Sequence, residues 1–196
     1  MSALPREQWT EEAYLEFERR SEGKHEYLAG HVIAMTGASN AHNLIAGSTY
    51  YSLYGQLRNR LCNIYMSDMR VRVSATGLYT YPDIAVVCGE AQFADEHVDT
   101  LLNPTLIIEV LSPSTEQYDR GKKFQHYRQL ESLQSYVLIA QDEARIEHFS
   151  RQKQDEWLLT EAAGLDSTIA LPSIACALAL NAVYERVSFE DGVTNE

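Results

Sequence analysis

Asp83 and Glu109 are acids in surroundings that do not suit a charge. Asp83 opens the run Pro82-Asp-Ile-Ala-Val-Val-Cys88, and Glu109 lies within Leu106-Ile-Ile-Glu-Val-Leu111. An ionised carboxylate among apolar neighbours is costly unless a metal ion, a cationic side chain or a proton compensates it. Mg2+ binds through one or two carboxylates plus waters and phosphate oxygens, so one ion would satisfy both acids if their strands are adjacent. The plainer alternative places each acid at a strand end or in a salt bridge. A cation follows on the next helix, where Asp119, Lys123 and Tyr127 are spaced four apart and share one face. Phe124, Tyr127 and Leu130 form the core-facing stripe, which packs the Lys123 stem beside the buried side. Taken alone, Asp119 and Lys123 read as a surface pair worth about 0.2–0.5 kcal/mol.

Other chemistries find less support. Cys62, Cys88 and Cys176 are widely spaced and form no C-x-x-C. They read as reduced, buried or partly buried thiols, not as a disulfide framework or a thiolate zinc site. The six histidines show no H-x-H or H-E-x-x-H spacing, which argues against a zinc enzyme. Ser112, Ser114 and Thr115 lack a G-x-S-x-G elbow and a base, so they read as turn and cap residues.

The elements around these groups follow from periodicity and breakers. Residues 8–21 read as an amphipathic helix with Glu11 and Glu12 in its first turn, where the helix dipole favours acids. His25 to Met35 carries Gly30 between two strand-like runs, as a hairpin does. Asn40 to Leu61 is the longest helix candidate, with Ser39 and Asn40 as N-cap choices. Strand-like runs then cover Ile64 to Met66 and Met69 to Val73. The runs at Pro82–Cys88 and Thr105–Leu111 read as central strands buried on two faces. A helix is expected over Glu116–Leu133, followed by an antiparallel meander at 135–140, 144–149 and 156–160. The Leu171-Pro-Ser-Ile segment is expected to wrap the sheet. No repeat or linker divides the chain, so residues 8–190 read as one α/β domain, a mixed sheet flanked by helices, with flexible termini at 1–7 and 191–196.

The order Pro82-Asp83, Glu109 in an apolar strand, Glu-Val-Leu-Ser-Pro-Ser-Thr at 109–115 and Asp-Arg-Gly-Lys-Lys at 119–123 resembles the Uma-two family. That family of restriction-endonuclease-like proteins lies within the PD-(D/E)XK nuclease superfamily. Glu26-Tyr-Leu-x-Gly30, Ser39 and His42 also resemble its N-terminal part, so the likeness spans about residues 10–187. One position departs from the superfamily pattern: two residues after Glu109 stands Leu111, where the simplest motif has lysine. The resemblance implies that Lys123 on the following helix replaces it, with Lys122 turned toward solvent or a phosphate. It further implies a restriction endonuclease-like fold and Mg2+-dependent (or Mn2+-dependent) hydrolysis of DNA phosphodiester bonds. Asp83, Glu109 and the Val110 carbonyl would hold the ion, and Lys123 would orient water or neutralise the phosphorus centre. Glu26 would reach the metal through water, or else is a solvated residue beside His25. His42 would contact phosphate or water, or else bonds locally at its helix start. Asp119 and Tyr127 complete the secondary group, Tyr127 with its ring in the core and its hydroxyl toward the site.

The 196 residues carry 28 acidic and 16 basic side chains, a formal net charge of −12, which at first sight argues against a polyanionic partner. The distribution of charge weakens that objection. Arg58, Arg60, Arg70 and Arg72 fall together, as do Arg120, Lys122, Lys123 and Arg128. The two segments would frame the site and support weak, salt-sensitive contact with DNA, expected to be double-stranded. The other reading makes them solvated faces. No apolar run approaches the roughly 20 residues of a membrane span, and the N-terminus has no signal-peptide layout, which points to the cytoplasm. A homodimer is carried over from the superfamily. The competing function is a non-enzymatic binding or assembly protein that retains the fold and metal site.

Overall fold

The structure is a computed structural model that describes residues 8–153 and 156–189. The expected flexible termini at 1–7 and 191–196 lie outside the described residues. Helix α1 (Glu11–Glu18) begins where the Thr10 side chain accepts from the Ala13 N–H. Strands β1 (His25–Leu28) and β2 (His31–Ala34) form the expected hairpin. Its turn has positive φ at Ala29 and Gly30, and a Cβ at Gly30 would come within 2.9 Å of Gln8, so this position requires glycine. Helix α2 (Asn40–Leu57) is capped by Ser39, whose hydroxyl accepts from the His42 N–H. It stops short of Leu61, which is 88% exposed ahead of β3 (Cys62–Met66).

Strands β4 (Arg70–Val73), β5 (Leu78–Thr80), β6 (Ile84–Cys88), β7 (Thr100–Leu101) and β8 (Leu106–Val110) follow. The next helix, α3, is a composite: an α turn Glu116–Tyr118, a π turn Asp119–Lys123 and an α turn Phe124–Tyr127. It ends before the expected Leu133, and no side chain caps its start, since the Ser112 hydroxyl bonds Ser114 and Thr115 instead. The expected meander is β9 (Ser135–Ile139), β10 (Arg145–Arg151) and β11 (Trp157–Ala163). The chain closes with the hairpin β12 (Thr168–Leu171) and β13 (Cys176–Ala179), then α4 (Leu180–Val183).

Besides the two-stranded β12–β13 hairpin, these strands build two larger sheets. The order β11-β10-β9-β8-β6-β3 gives a six-stranded sheet, parallel only at β8–β9, and β2-β1-β5-β4-β7 gives a five-stranded one. One face of the six-stranded sheet packs on α2, β12–β13 and α4 through Ile45, Leu53, Ile84, Leu106, Ile108, Val137 and Leu178. The other face packs on α3 and the second sheet through Val71, Leu78, Ala85, Ile107, Phe124, Tyr127 and Leu138. Both faces of β6 and β8 are thereby buried, as their unbroken apolar runs require.

The cysteines overturn the expectation of three reduced thiols. Cys62 and Cys88 stand opposite each other in the β3–β6 ladder and form a disulfide, and only Cys176 is a free, buried thiol. Their spacing of 26 residues hides a pairing made by strand register, which no local motif reports. Half of each basic cluster is also consumed. Arg70 pairs with Asp99, Arg72 with Glu11, and Arg120 with Glu116 and Glu147, while Lys123 is buried. Asp99, Glu11 and Glu147 come from elements distant in sequence, which a segment-by-segment charge count cannot see, while Glu116 pairs with Arg120 within one helix turn.

Candidate functional site

The β6–β8 register pairs Ile84 with Ile108, so Asp83, one residue before, comes level with Glu109. The Asp83 carboxylate is fixed at both oxygens: Oδ2 accepts from the Val110 N–H at 2.7 Å, and Oδ1 lies 2.8 Å from His42 Nε2. Ser39 holds the first turn of α2 and so aims the His42 ring, joining a helix start to a strand start. The purely local alternative for His42 describes its backbone, while its ring reaches across the fold.

On the α3 side, a single ammonium stands among three buried carboxylates. Lys123 Nζ lies 2.9 Å from Glu109 Oε1, 3.4 Å from Asp119 Oδ1 and 3.6 Å from Glu26 Oε1. Tyr127 donates to the same Glu109 oxygen at 2.9 Å. Glu26, on β1, is buried and accepts a hydrogen bond from Thr80 Oγ1, so it is not the solvated neighbour of His25. Asp119 Oδ1 is buried and makes no hydrogen bond beyond its ion-pair contact with Lys123. Lys122, one step along the helix, is exposed.

Burial raises the Glu109 carboxyl to about 8, against the pull of Lys123 and with added push from Asp119 and Asp83. Burial also raises Asp119, partly opposed by Lys123. For Lys123, burial alone would favour the neutral amine. Glu109, Tyr127, Glu26 and Asp119 outweigh it and hold the ammonium well above its ordinary value. The Tyr127 phenol is raised by burial and by Glu109, so it remains a donor.

The site therefore gathers Glu26, Asp119, Lys123 and Tyr127 around Glu109, with Asp83 and His42 at the neighbouring strand. Two further contributors carry no signal in the sequence. Thr80 orients Glu26, and the buried Tyr136 hydroxyl donates to the Asp119 carbonyl at 3.0 Å within the π turn. Thr80 sits in a three-residue strand and Tyr136 in an apolar one, so neither stands out from its neighbours.

The donor set suits one kind of ion. Three carboxylates around one ammonium leave surplus negative charge, and Asp119 has an oxygen without a hydrogen bond. Among the described residues, no three His, Cys, Asp or Glu side chains converge as an all-protein metal cage. Mg2+ needs no such cage, because it keeps waters and takes one or two carboxylates.

Comparison with known proteins gives the family and the fold. Residues 11–182 match the Uma2 family, described as "Putative restriction endonuclease". Two uncharacterised proteins of Synechocystis sp. are similar along most of their length. One is 36% identical over 156 residues, covering 80% of this chain and 88% of the relative. The other is 34% identical over 178 residues, covering 91% and 92%. Among solved structures, "a putative nuclease belonging to DUF820" from Anabaena variabilis superposes with a TM-score of 0.70. At 20% identity, over 88% of this chain and 96% of that one, it shares the fold. Because the match spans residues 11–182 of the 196, the chain belongs to the Uma2 family of restriction endonuclease-like proteins.

Proposed function

We propose that the chain is a Mg2+-dependent endonuclease that hydrolyses DNA phosphodiester bonds. The observation that carries this reading is the lone ammonium of Lys123 among three buried carboxylates, one strand away from an Asp83 anchored by His42 and the Val110 N–H. Asp83 and Glu109 would hold the ion, with the Val110 carbonyl as a further oxygen. Bound there, Mg2+ or Mn2+ would lower the pKa of a coordinated water and stabilise charge on the scissile phosphate. His42 and the Val110 N–H orient the Asp83 carboxylate. Tyr127 and Lys123 orient Glu109. The Lys123 ammonium supplies the positive charge that a phosphorane-like transition state requires. Cutting both strands of a duplex would employ two copies, and sedimentation in the presence of DNA tests that stoichiometry.

The direct test is plasmid nicking with Mg2+ or Mn2+. Wild-type protein should convert supercoiled to open-circular DNA, and the Asp83→Ala, Glu109→Ala double variant should not. Equal behaviour of the two across metals and substrates would end this reading. The ion-paired state of Arg70, Arg72 and Arg120 favours a second one, a non-enzymatic binding or assembly protein that keeps the fold. In that case Glu109→Gln, which spares the fold, would leave the cellular phenotype intact.

A further inference from the structure

Beyond the carboxylate site, one surface groove departs from the acidic character of the molecule. It runs between the C-terminal half of α2 and the edge strand β3, has a volume of about 460 Å³, and is lined by Tyr50, Tyr54, Arg58, Arg60, Asn63 and Tyr65. No acidic side chain lines it. Several other guanidiniums are paired with carboxylates: Arg19 with Asp95 and Asp99, Arg70 with Asp99, Arg72 with Glu11, and Arg145 with Glu143, while Arg128 lies over the Phe124 ring. Arg58 and Arg60 have no carboxylate partner among the described residues, and both face this groove. Arg60 is held in place, since its Nη1 donates to the Ile174 and Ala175 carbonyls at 2.8 and 3.0 Å. The rings of Tyr50 and Tyr54 stack at 5.9 Å with 16° between planes, and Tyr54 remains 51% exposed. The Cys62–Cys88 disulfide ties the strand under Arg60 to its neighbour, which makes the groove wall a fixed surface.

A row of tyrosines interleaved with unpaired arginines binds a ligand that has both flat aromatic faces and repeated negative charge. A single-stranded nucleic acid has both: bases stack on aromatic rings, and phosphates pair with guanidinium. A net charge of −12 rules out non-specific attraction by the molecule as a whole, so contact must come from such a local concentration. We propose that this groove is a second, non-catalytic contact that takes an unpaired nucleotide on Tyr54 and its phosphates on Arg58 and Arg60. The proposal rests on the nucleic-acid reading given above. His42, at the carboxylate site, and Tyr54 are twelve residues apart on the same helix, roughly 18 Å along its axis. The groove would thus hold strand flanking the cleavage position.

Fluorescence anisotropy of a labelled oligo-dT of about 12 nucleotides, in EDTA with the full chain, separates binding from cleavage. Tyr54→Ala and Arg58→Glu are surface changes and should each weaken binding about tenfold, with Arg58→Glu also flattening the salt dependence. Tyr51→Ala, 78% exposed outside the groove, should bind as wild type. Equal affinity of wild type, Tyr54→Ala and Arg58→Glu, or no binding by any of them, overturns the proposal. So does a change confined to monomer–dimer sedimentation, which would make the face a self-association surface. Tyr54-dependent binding without plasmid nicking would sink the endonuclease reading and leave this contact standing.

Discussion

Lys123 is the side chain on which the rest of the site depends. It is 6% exposed, and without it Glu26, Glu109 and Asp119 would be buried acids with no cation. Lys123→Ala should therefore cost about 3–5 kcal/mol in urea denaturation at neutral pH. Glu109→Gln replaces a carboxyl that burial keeps protonated with a neutral amide of the same shape, and should keep or raise stability while abolishing metal-dependent nicking. Glu109 also sets a pH dependence. Its folded pKa, about 8, lies above the ordinary 4.5, so the folded chain retains a proton that the unfolded chain releases. The contribution is fully present below the lower value and is lost as pH rises through the upper one. Metal-free stability should fall between these limits in wild type, and Glu109→Gln should flatten the decline when urea midpoints at acidic and mildly alkaline pH are compared. Asp83, Glu109 and Lys123 can be picked out in the sequence because charge in an apolar run, or beside one, is conspicuous. The Asp83 partners are not legible there, since the His42 ring and the Val110 N–H meet it only through folding.

Helix starts and turns deliver these side chains. Ser39 both caps α2 and donates to Gln141 Oε1 at 2.6 Å. Ser39→Ala should lower stability by about 1 kcal/mol and, by loosening the turn that bears His42, reduce nicking more than that loss of folded protein explains. Calorimetry alongside the plasmid assay separates the two effects. In α3, the π turn offsets Asp119 and Lys123 from regular α geometry, and Tyr136 bonds the Asp119 carbonyl there. Tyr136→Phe should cost about 1 kcal/mol in urea denaturation and shift the pH profile of nicking, because Asp119 shapes the charge around Lys123. The α1, hairpin, α2, central-strand and meander assignments are readable from apolar spacing and from Gly30. The short strands β5 and β7 are not, since three and two residues carry no period. The π turn leaves no mark in a pattern that assumes four-residue steps.

Across the whole molecule, the Cys62–Cys88 bond fastens the outer strand β3 to β6, the strand that Asp83 precedes. Breaking it by Cys62→Ser, or by reduction, should lower stability by about 3 kcal/mol. Thiol titration of the unfolded, unreduced chain should find one free cysteine, Cys176. Charge, too, is decided at this scale. Counting residues along the chain places basic patches beside the site, whereas the folded surface leaves Arg58 and Arg60 at the far end of α2. The parallel pair β8–β9 has one more consequence. Its crossover is α3, so Glu109, Asp119, Lys123 and Tyr127 belong to one continuous strand–helix–strand unit. These contacts are short-range and can assemble early, while Glu26, His42 and Asp83 must close long loops before they arrive. In pulse-labelled hydrogen exchange during refolding, amides of β8, α3 and β9 should become protected before those of β1 and the first turn of α2.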